Sequence, residues 1–289
     1  MKDVVTRFAP SPTGRLHLGH AYSALLAHRF AREGGGMFLL RIEDIDPGRA
    51  RLEHADSIME DLGWLGLTFD GEIVYQSERL PLYAEALDRL KRERLVYPCF
   101  CTRAAIAAEV AASASAPHGP DGPHYPGTCR ELSEGVRALR TQSEPHAWRL
   151  DAAKASKIAA SLSWYDQGVQ VRAEPEGFGD VVLGRKDAPV SYHLAVTIDD
   201  AAQGVSDVVR GRDLFTATHV HRLLQHLLEL PTPHYHHHPL LTGPDGQRLA
   251  KRHGAPTLTS LREAGADPEK LAADLLAGRL PAGYSAAGA

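Results

Sequence analysis

The stretch Arg7-Phe8-Ala9-Pro10-Ser11-Pro12-Thr13-Gly14-Arg15-Leu16-His17-Leu18-Gly19-His20 constrains this chain more than any other. In front of it, Val4-Val5-Thr6-Arg7-Phe8 reads as a strand. Behind it, Ala21, Leu25, Leu26 and Phe30 recur at helical spacing until Gly34-Gly35-Gly36 stops the run. Two prolines and a glycine make the connection a stiff turn that delivers His17-Leu18-Gly19-His20 to the mouth of the helix. There the unsatisfied N–H groups and the helix dipole attract an anion. The histidines can donate to a phosphoryl group, and Gly19 carries no side chain to block a flat base.

Further along, Met37-Phe38-Leu39-Leu40-Arg41-Ile42 is a short apolar run, as expected of a buried parallel strand. Asp46-Pro47 predicts a helix start, with aspartate as cap and proline in the first turn, and another helix is expected over Arg79 to Glu93. This alternation predicts an α/β fold with a doubly wound parallel sheet. From Pro98 the texture changes: Ala104 to Ala116 is alanine-rich, and His118-Gly119-Pro120-Asp121-Gly122-Pro123 is a loop without core formers. Short strands expected at Ala147–Leu150, Gln170–Arg172 and Val181–Leu183 suggest a smaller inserted α+β module. Strand–helix texture returns near Ser191–Ile198 and runs to Lys251. The expected divisions are a first catalytic half at 1–97, the insert at 98–187, a second half at 188–255 and a short helical tail at 256–289.

With 43% hydrophobic and 24% charged residues, the composition is that of an ordinary soluble domain. No apolar stretch approaches membrane-spanning length, no signal-peptide pattern opens the chain, and the odd count of three cysteines speaks for a reducing cytosol. No membrane partner is expected. A net charge of −4 does not advertise nucleic-acid binding, but a local basic face would suffice. In the insert, Arg103, Arg130, Arg137 and Arg140 are candidate phosphate contacts, although solvation of a helix face explains them equally well.

Cys99-Phe100-Cys101 and the distant Cys129 fit three ligands of a tetrahedral zinc site, with His118, His124 and Tyr125 all open as the fourth. Asp44 and Asp46 read as a strand end and a helix cap rather than a metal pair. In His234-Tyr235-His236-His237-His238 the faces of a strand alternate, so too few histidines converge for metal binding to be expected. His219, His221 and His226 read as surface or packing residues of a helix over Thr218–Leu228. Alone, Gln247-Arg248-Leu249-Ala250-Lys251-Arg252-His253-Gly254 is a solvated basic turn.

Together these segments resemble the class I aminoacyl-tRNA synthetases in their glutamate-type form. The HxGH after Pro-Ser-Pro-Thr-Gly is similar to the first signature, and the Gln247–Gly254 segment to the second, the KMSKS loop, with Lys251 at its key lysine. Arg248 replaces the first lysine and keeps its charge; Ala250 replaces the serine and loses a hydroxyl, which implies weaker ATP affinity. The resemblance implies a Rossmann-type catalytic domain that drives a carboxylate in line onto the α-phosphorus of ATP with Mg2+. It places His17, Gly19, His20 and Lys251 on ATP, with His17, His20 and Lys251 catalytic. Arg7, Ala9, Ser11, Glu43, Tyr192 and Arg210 would bind L-glutamate, Arg7 as the carboxylate's cation and Glu43 as the ammonium's partner. It also implies a structural Zn2+ on Cys99, Cys101, Tyr125 and Cys129.

The sequence ends soon after Lys251, leaving no room for the expected helical anticodon-binding domain. It therefore resembles a short branch of that family, the glutamyl-queuosine tRNA(Asp) synthetases. Members activate glutamate without tRNA and esterify it to the queuosine base in the anticodon of tRNA(Asp). A cytoplasmic monomer is the expectation. The competing readings are a truncated enzyme charging the 3′ end of tRNA(Glu), a nucleotidyltransferase making a small adenylated cofactor, and a catalytically dead tRNA-binding module.

Overall fold

The computed structural model describes residues 3–112, 118–119, 122–159, 161–243, 249, 256–281 and 283–287. The first part runs β1 (Val5–Phe8), α1 (Leu18–Glu33), β2 (Met37–Ile42), α2 (Leu52–Trp64), β3 (Val74–Tyr75), α3 (Leu80–Arg92) and β4 (Val96–Cys99). It continues through α4 (Arg103–Ala112), β5 (His118–Gly119), β6 (Gly122–Pro123), α5 (Glu134–Thr141), β7 (Ala147–Leu150), α6 (Ala152–Ile158), β8 (Ser163–Asp166), β9 (Val169–Arg172) and β10 (Val182–Gly184). The remainder is α7 (Tyr192–Ala202), β11 (Asp207–Gly211), α8 (Ala217–Leu227), β12 (His234–His238), β13 (Leu240–Thr242), α9 (Leu258–Glu263), α10 (Pro268–Leu276) and β14 (Ser285–Ala287).

Parallel pairing joins β1 to β2 and β2 to β3, and likewise β11 to β12 and β12 to β8. The two sets meet where the Ser206 amide donates to the Val5 carbonyl at 3.0 Å. From β1 the chain crosses through α1 to β2 on one side, and from β11 through α8 to β12 on the other. The strand order therefore reverses between β1 and β11. In an open parallel sheet, the crevice beyond the strand ends at such a point is where ligands bind. The apolar runs read from the sequence supply the core: Phe38, Leu40 and Ile42 of β2 are fully buried against Ala21, Ala24 and Leu25 of α1.

Two local expectations change. Asp46-Pro47 starts no helix; α2 begins at Leu52, and the Asp46 carboxylate instead accepts from the Gly48 amide and the Arg49 side chain in a turn. The segment after Pro98 also divides between two sheets. β4, β7 and β10 form an antiparallel sheet of their own, whereas the β8–β9 hairpin adds to the edge of the parallel sheet beside β12. Among the described residues no helix is long and apolar enough to cross a membrane.

Candidate active site

The signature turn is anchored before it reaches the helix. The Pro10 carbonyl accepts from the Glu43 amide and the Pro12 carbonyl from the Arg51 amide, each at 3.0 Å. His17 then takes the N-cap position of α1: its Nδ1 accepts from the Gly19 amide at 3.1 Å, while Nδ1 of His20 accepts from the His17 amide at 3.2 Å. This reciprocal capping box uses imidazoles where Ser/Thr and Glu are usual. The rings lie 3.8 Å apart, and a Cβ at position 19 would come within 3.0 Å of His17, so glycine there lets the ring fold over the helix end. Since both Nδ1 atoms accept, each neutral ring carries its proton on Nε2, the donor a phosphate oxygen needs.

A cleft of about 850 Å³ opens beyond the switch point. The end of β1 and the turn contribute Arg7, Ala9 and Ser11, and the start of α1 contributes His17, Gly19 and His20. Glu43 reaches it from the end of β2, Tyr192 from the start of α7 and Arg210 from β11. Every sequence-expected glutamate and ATP residue except Lys251 thus lines one cavity. Lys251, Arg248 and Ala250 lie outside the described residues. Leu249, between Arg248 and Ala250 in the sequence, lines the cleft and donates to the Leu241 carbonyl at 3.1 Å.

Charge is organised around two buried cations at the ends of β1 and β2. Arg7 pairs with Asp200 through Nε at 2.9 Å and Nη2 at 3.3 Å. Arg41 reaches Asp200 at 2.8 Å and Glu43 at 3.3 Å. Burial pushes the Asp200 carboxyl up, but the two guanidiniums outweigh it and hold it below the usual range. At Glu43 burial prevails over the pull of Arg41 and Arg7, and the carboxyl is raised. Arg210 is different. It is 5% exposed, and its partners are neutral: His237 Nε2 at 3.1 Å, Thr218 Oγ1 at 2.8 Å, the Leu214 carbonyl at 3.1 Å and the Tyr192 hydroxyl at 3.4 Å. No carboxylate among the described residues pairs with it.

Several of these partners escaped the sequence reading. The sequence assigns no role to Asp200, His237 or Asp166, and only their placement beside Arg7 and Arg210 gives them one. His221, read as surface or packing, is buried at 3% exposure within reach of Arg210 and His193, and its basicity is pushed well down by burial and by the Arg210 charge. Asp44 accepts from the Ser77 amide and hydroxyl, as a loop anchor rather than a metal ligand.

In the insert, the sulfurs of Cys99, Cys101 and Cys129 lie within 4.8 Å of one another and could hold a metal ion. The Tyr125 hydroxyl is 3.4 Å from Cys101 Sγ, whereas His124 turns away to the Gly177 carbonyl at 2.8 Å. The His118 side chain lies outside what is described. Three of the insert arginines serve the insert itself: Arg130 pairs with Asp180, Arg140 with Glu144, and Arg137 covers the Tyr97 ring.

The fold and the cleft define a class I aminoacyl-tRNA synthetase catalytic domain: residues 3–282 match the family described as tRNA synthetases class I (E and Q), catalytic domain, and the chain belongs to it. The chain is 48% identical over 273 residues to the glutamyl-Q tRNA(Asp) synthetase of Rhodobacter capsulatus, covering 92% of this chain and 97% of that protein. To the protein of the same name from Symbiobacterium thermophilum it is 47% identical over 280 residues, covering 93% and 84%. Within its class the chain thus belongs to the glutamyl-Q tRNA(Asp) synthetase family. The glutamate–tRNA ligase of Oleidesulfovibrio alaskensis is 41% identical over 271 residues, with 94% of this chain but 56% of that protein covered. Among solved structures, a glutamate tRNA ligase from Elizabethkingia meningosepticum in complex with its amino acid superposes with a TM-score of 0.77 at 28% identity, over 95% of this chain and 60% of that one.

Proposed function

We propose that this protein condenses L-glutamate with ATP to glutamyl-adenylate without tRNA, and then transfers the glutamyl group to the queuosine base in the anticodon of tRNA(Asp). In the first step a glutamate carboxylate oxygen attacks the α-phosphorus and pyrophosphate leaves. In the second a hydroxyl of the queuosine cyclopentenediol attacks the acyl carbon and AMP leaves. The chemistry asks the protein mainly for positioning and charge stabilisation. His17 and His20 supply donors at the helix mouth, Gly19 keeps the approach open, and Lys251 neutralises the departing pyrophosphate. Arg7 and Arg210 take the side-chain carboxylate, Glu43 takes the ammonium, and Ala9, Ser11 and Tyr192 complete the walls. Mg2+ accompanies ATP and shields its phosphates.

The observation that carries this reading is Arg210, a buried cation with neutral partners only, lining the same cleft as Arg7 and Glu43. A buried charge without a counter-ion is costly, and an anionic ligand would remove that cost. The test is glutamate-dependent ATP–pyrophosphate exchange with and without tRNA. Exchange without tRNA, followed by labelled glutamate appearing only on queuosine-containing tRNA(Asp), supports the proposal. Exchange only with tRNA would favour charging of tRNA(Glu), and exchange indifferent to glutamate would favour another nucleotidyl transfer.

The donor set of the insert also fits zinc. A tetrahedral site with Zn–S bonds of about 2.3 Å holds its sulfurs about 3.8 Å apart, and Cys101 and Cys129 are separated by 3.5 Å. Cys99, Cys101 and Cys129 with Tyr125 would hold the ion, which would brace the insert of residues 98–187 and take no part in adenylation.

A further inference from the structure

Arg210 is held at its far end by a hydrogen-bond chain that runs in one direction only. An arginine can only donate, so His237 Nε2, 3.1 Å from Arg210 Nε, is the acceptor. The proton of the neutral imidazole is then on Nδ1, and Nδ1 lies 2.9 Å from Asp166 Oδ1. The same carboxylate oxygen also accepts the His237 backbone amide at 3.1 Å, which pins Asp166 to the strand that carries the ring. Phe215 stands edge-on to that ring at 5.2 Å, so the imidazole has little freedom to turn. Thr218 and Leu214 occupy Nη2. Nη1 lies beside the Tyr192 hydroxyl at 3.4 Å and His221 Nδ1 at 3.5 Å, and Tyr192 and Arg210 both line the cleft while His237 and Asp166 do not.

We infer that Asp166, acting through His237, is a positioning residue that aims the Arg210 guanidinium at the side-chain carboxylate of the amino-acid substrate. This rests on the reading of Arg210 as a carboxylate anchor. The arrangement repeats, for a binding arginine, the logic by which a carboxylate behind a histidine fixes its tautomer and orientation. Asp166 comes from β8, far from both signatures, and no motif marks it.

Asp166→Ala, His237→Gln, Asp166→Asn and Arg210→Ala are compared in tRNA-independent ATP–pyrophosphate exchange, with thermal melts confirming that each folds. Asp166→Ala is expected to raise KM for glutamate about tenfold, the size of a lost charge-assisted hydrogen bond, with kcat and KM for ATP unchanged. Discrimination between glutamate and glutamine should fall in parallel, because an ill-aimed guanidinium no longer reads the carboxylate. Asp166→Asn keeps an acceptor for Nδ1–H and should recover most of the affinity. If Asp166→Ala does not fold, the same split in His237→Gln carries the test. Equal losses for ATP and glutamate, or no change in either KM, overturn the relay. If Arg210→Ala weakens glutamate while Asp166→Ala does not, the relay alone fails. If Arg210→Ala leaves glutamate affinity intact, the carboxylate-anchor reading fails and takes the relay with it.

Discussion

Arg7 and Asp200, 193 residues apart in the sequence, meet inside the molecule with Nε 2.9 Å from Oδ1 and Nη2 3.3 Å from Oδ2. The pairing occupies one edge of the guanidinium, and Arg7 also lines the cleft. Arg41 grips the same carboxylate at 2.8 Å, so Asp200 holds the ends of β1 and β2 in register beneath the cleft.

Asp200→Asn should therefore damage both stability and substrate binding. Removing one partner of a buried ion pair costs about 3–5 kcal/mol, and here Arg7 loses its carboxylate partner while Arg41 keeps Glu43 and Asp199. Chemical denaturation should show a loss of that order, and the KM for glutamate should rise. A variant as stable as the parent would mean that Asp200 is not ionised in the folded protein.

With Glu43 as the proposed partner of the ammonium, glutamate affinity should depend on pH. The Glu43 carboxyl must be ionised to hold an ammonium, so binding is complete above its pKa and lost as pH falls through it. Because burial raises that pKa, the loss should begin above the value of about 4.3 usual for glutamate. Calorimetric titration of glutamate between about pH 4.5 and 8 follows it, and Glu43→Gln should abolish the dependence along with most of the affinity. A flat profile in the parent protein would remove Glu43 from the ammonium site.

Substitution can separate the N-cap role of His17 from its proposed role in adenylation. His17→Ala should cost about 1 kcal/mol of stability through the lost N-cap and also slow exchange. Asparagine is a good N-cap without an imidazole Nε2, so His17→Asn should restore the melting temperature but not the rate. Recovery of both would reduce His17 to a structural cap.

Lys251→Ala should lower the exchange rate by about a hundredfold or more, in line with removing a charge from a phosphoryl-transfer site, with glutamate affinity largely retained. Loss of glutamate binding would show that the basic loop had been misassigned.

Cys129→Ser should reduce the zinc content, measured by atomic absorption, and lower the melting temperature. Glutamate-dependent exchange should persist, because the thiols stand apart from the cleft residues. Full loss of exchange in a folded variant would argue for a direct role of the metal.

Much of this was legible in the sequence because it is local. The β1–turn–α1 unit, the apolar β2 run and the strands at 147–150, 169–172 and 182–184 follow from periodicity and breakers that act within a few residues. The cleft residues were legible because a family pattern names them. Asp46-Pro47 misled because a capping aspartate and an Asx turn use the same side-chain chemistry, and Arg49 and Arg185 draw Asp46 into the turn. The roles of Asp200, Asp166 and His237 were not legible because they depend on long-range partners. A histidine run in a strand says nothing about which ring will sit against an arginine from the neighbouring strand.

The placement of the β8–β9 hairpin on the parallel sheet sets where this protein can be recombined with its relatives. Exchanging residues 98–187 wholesale would strip an edge from the catalytic sheet and remove Asp166 with it. Antiparallel β4 and β7 instead form two adjacent gateposts, and Cys99 stands directly opposite Ala147. A graft cut at that pair would swap the thiol-bearing knob between them and leave the cleft in its native frame.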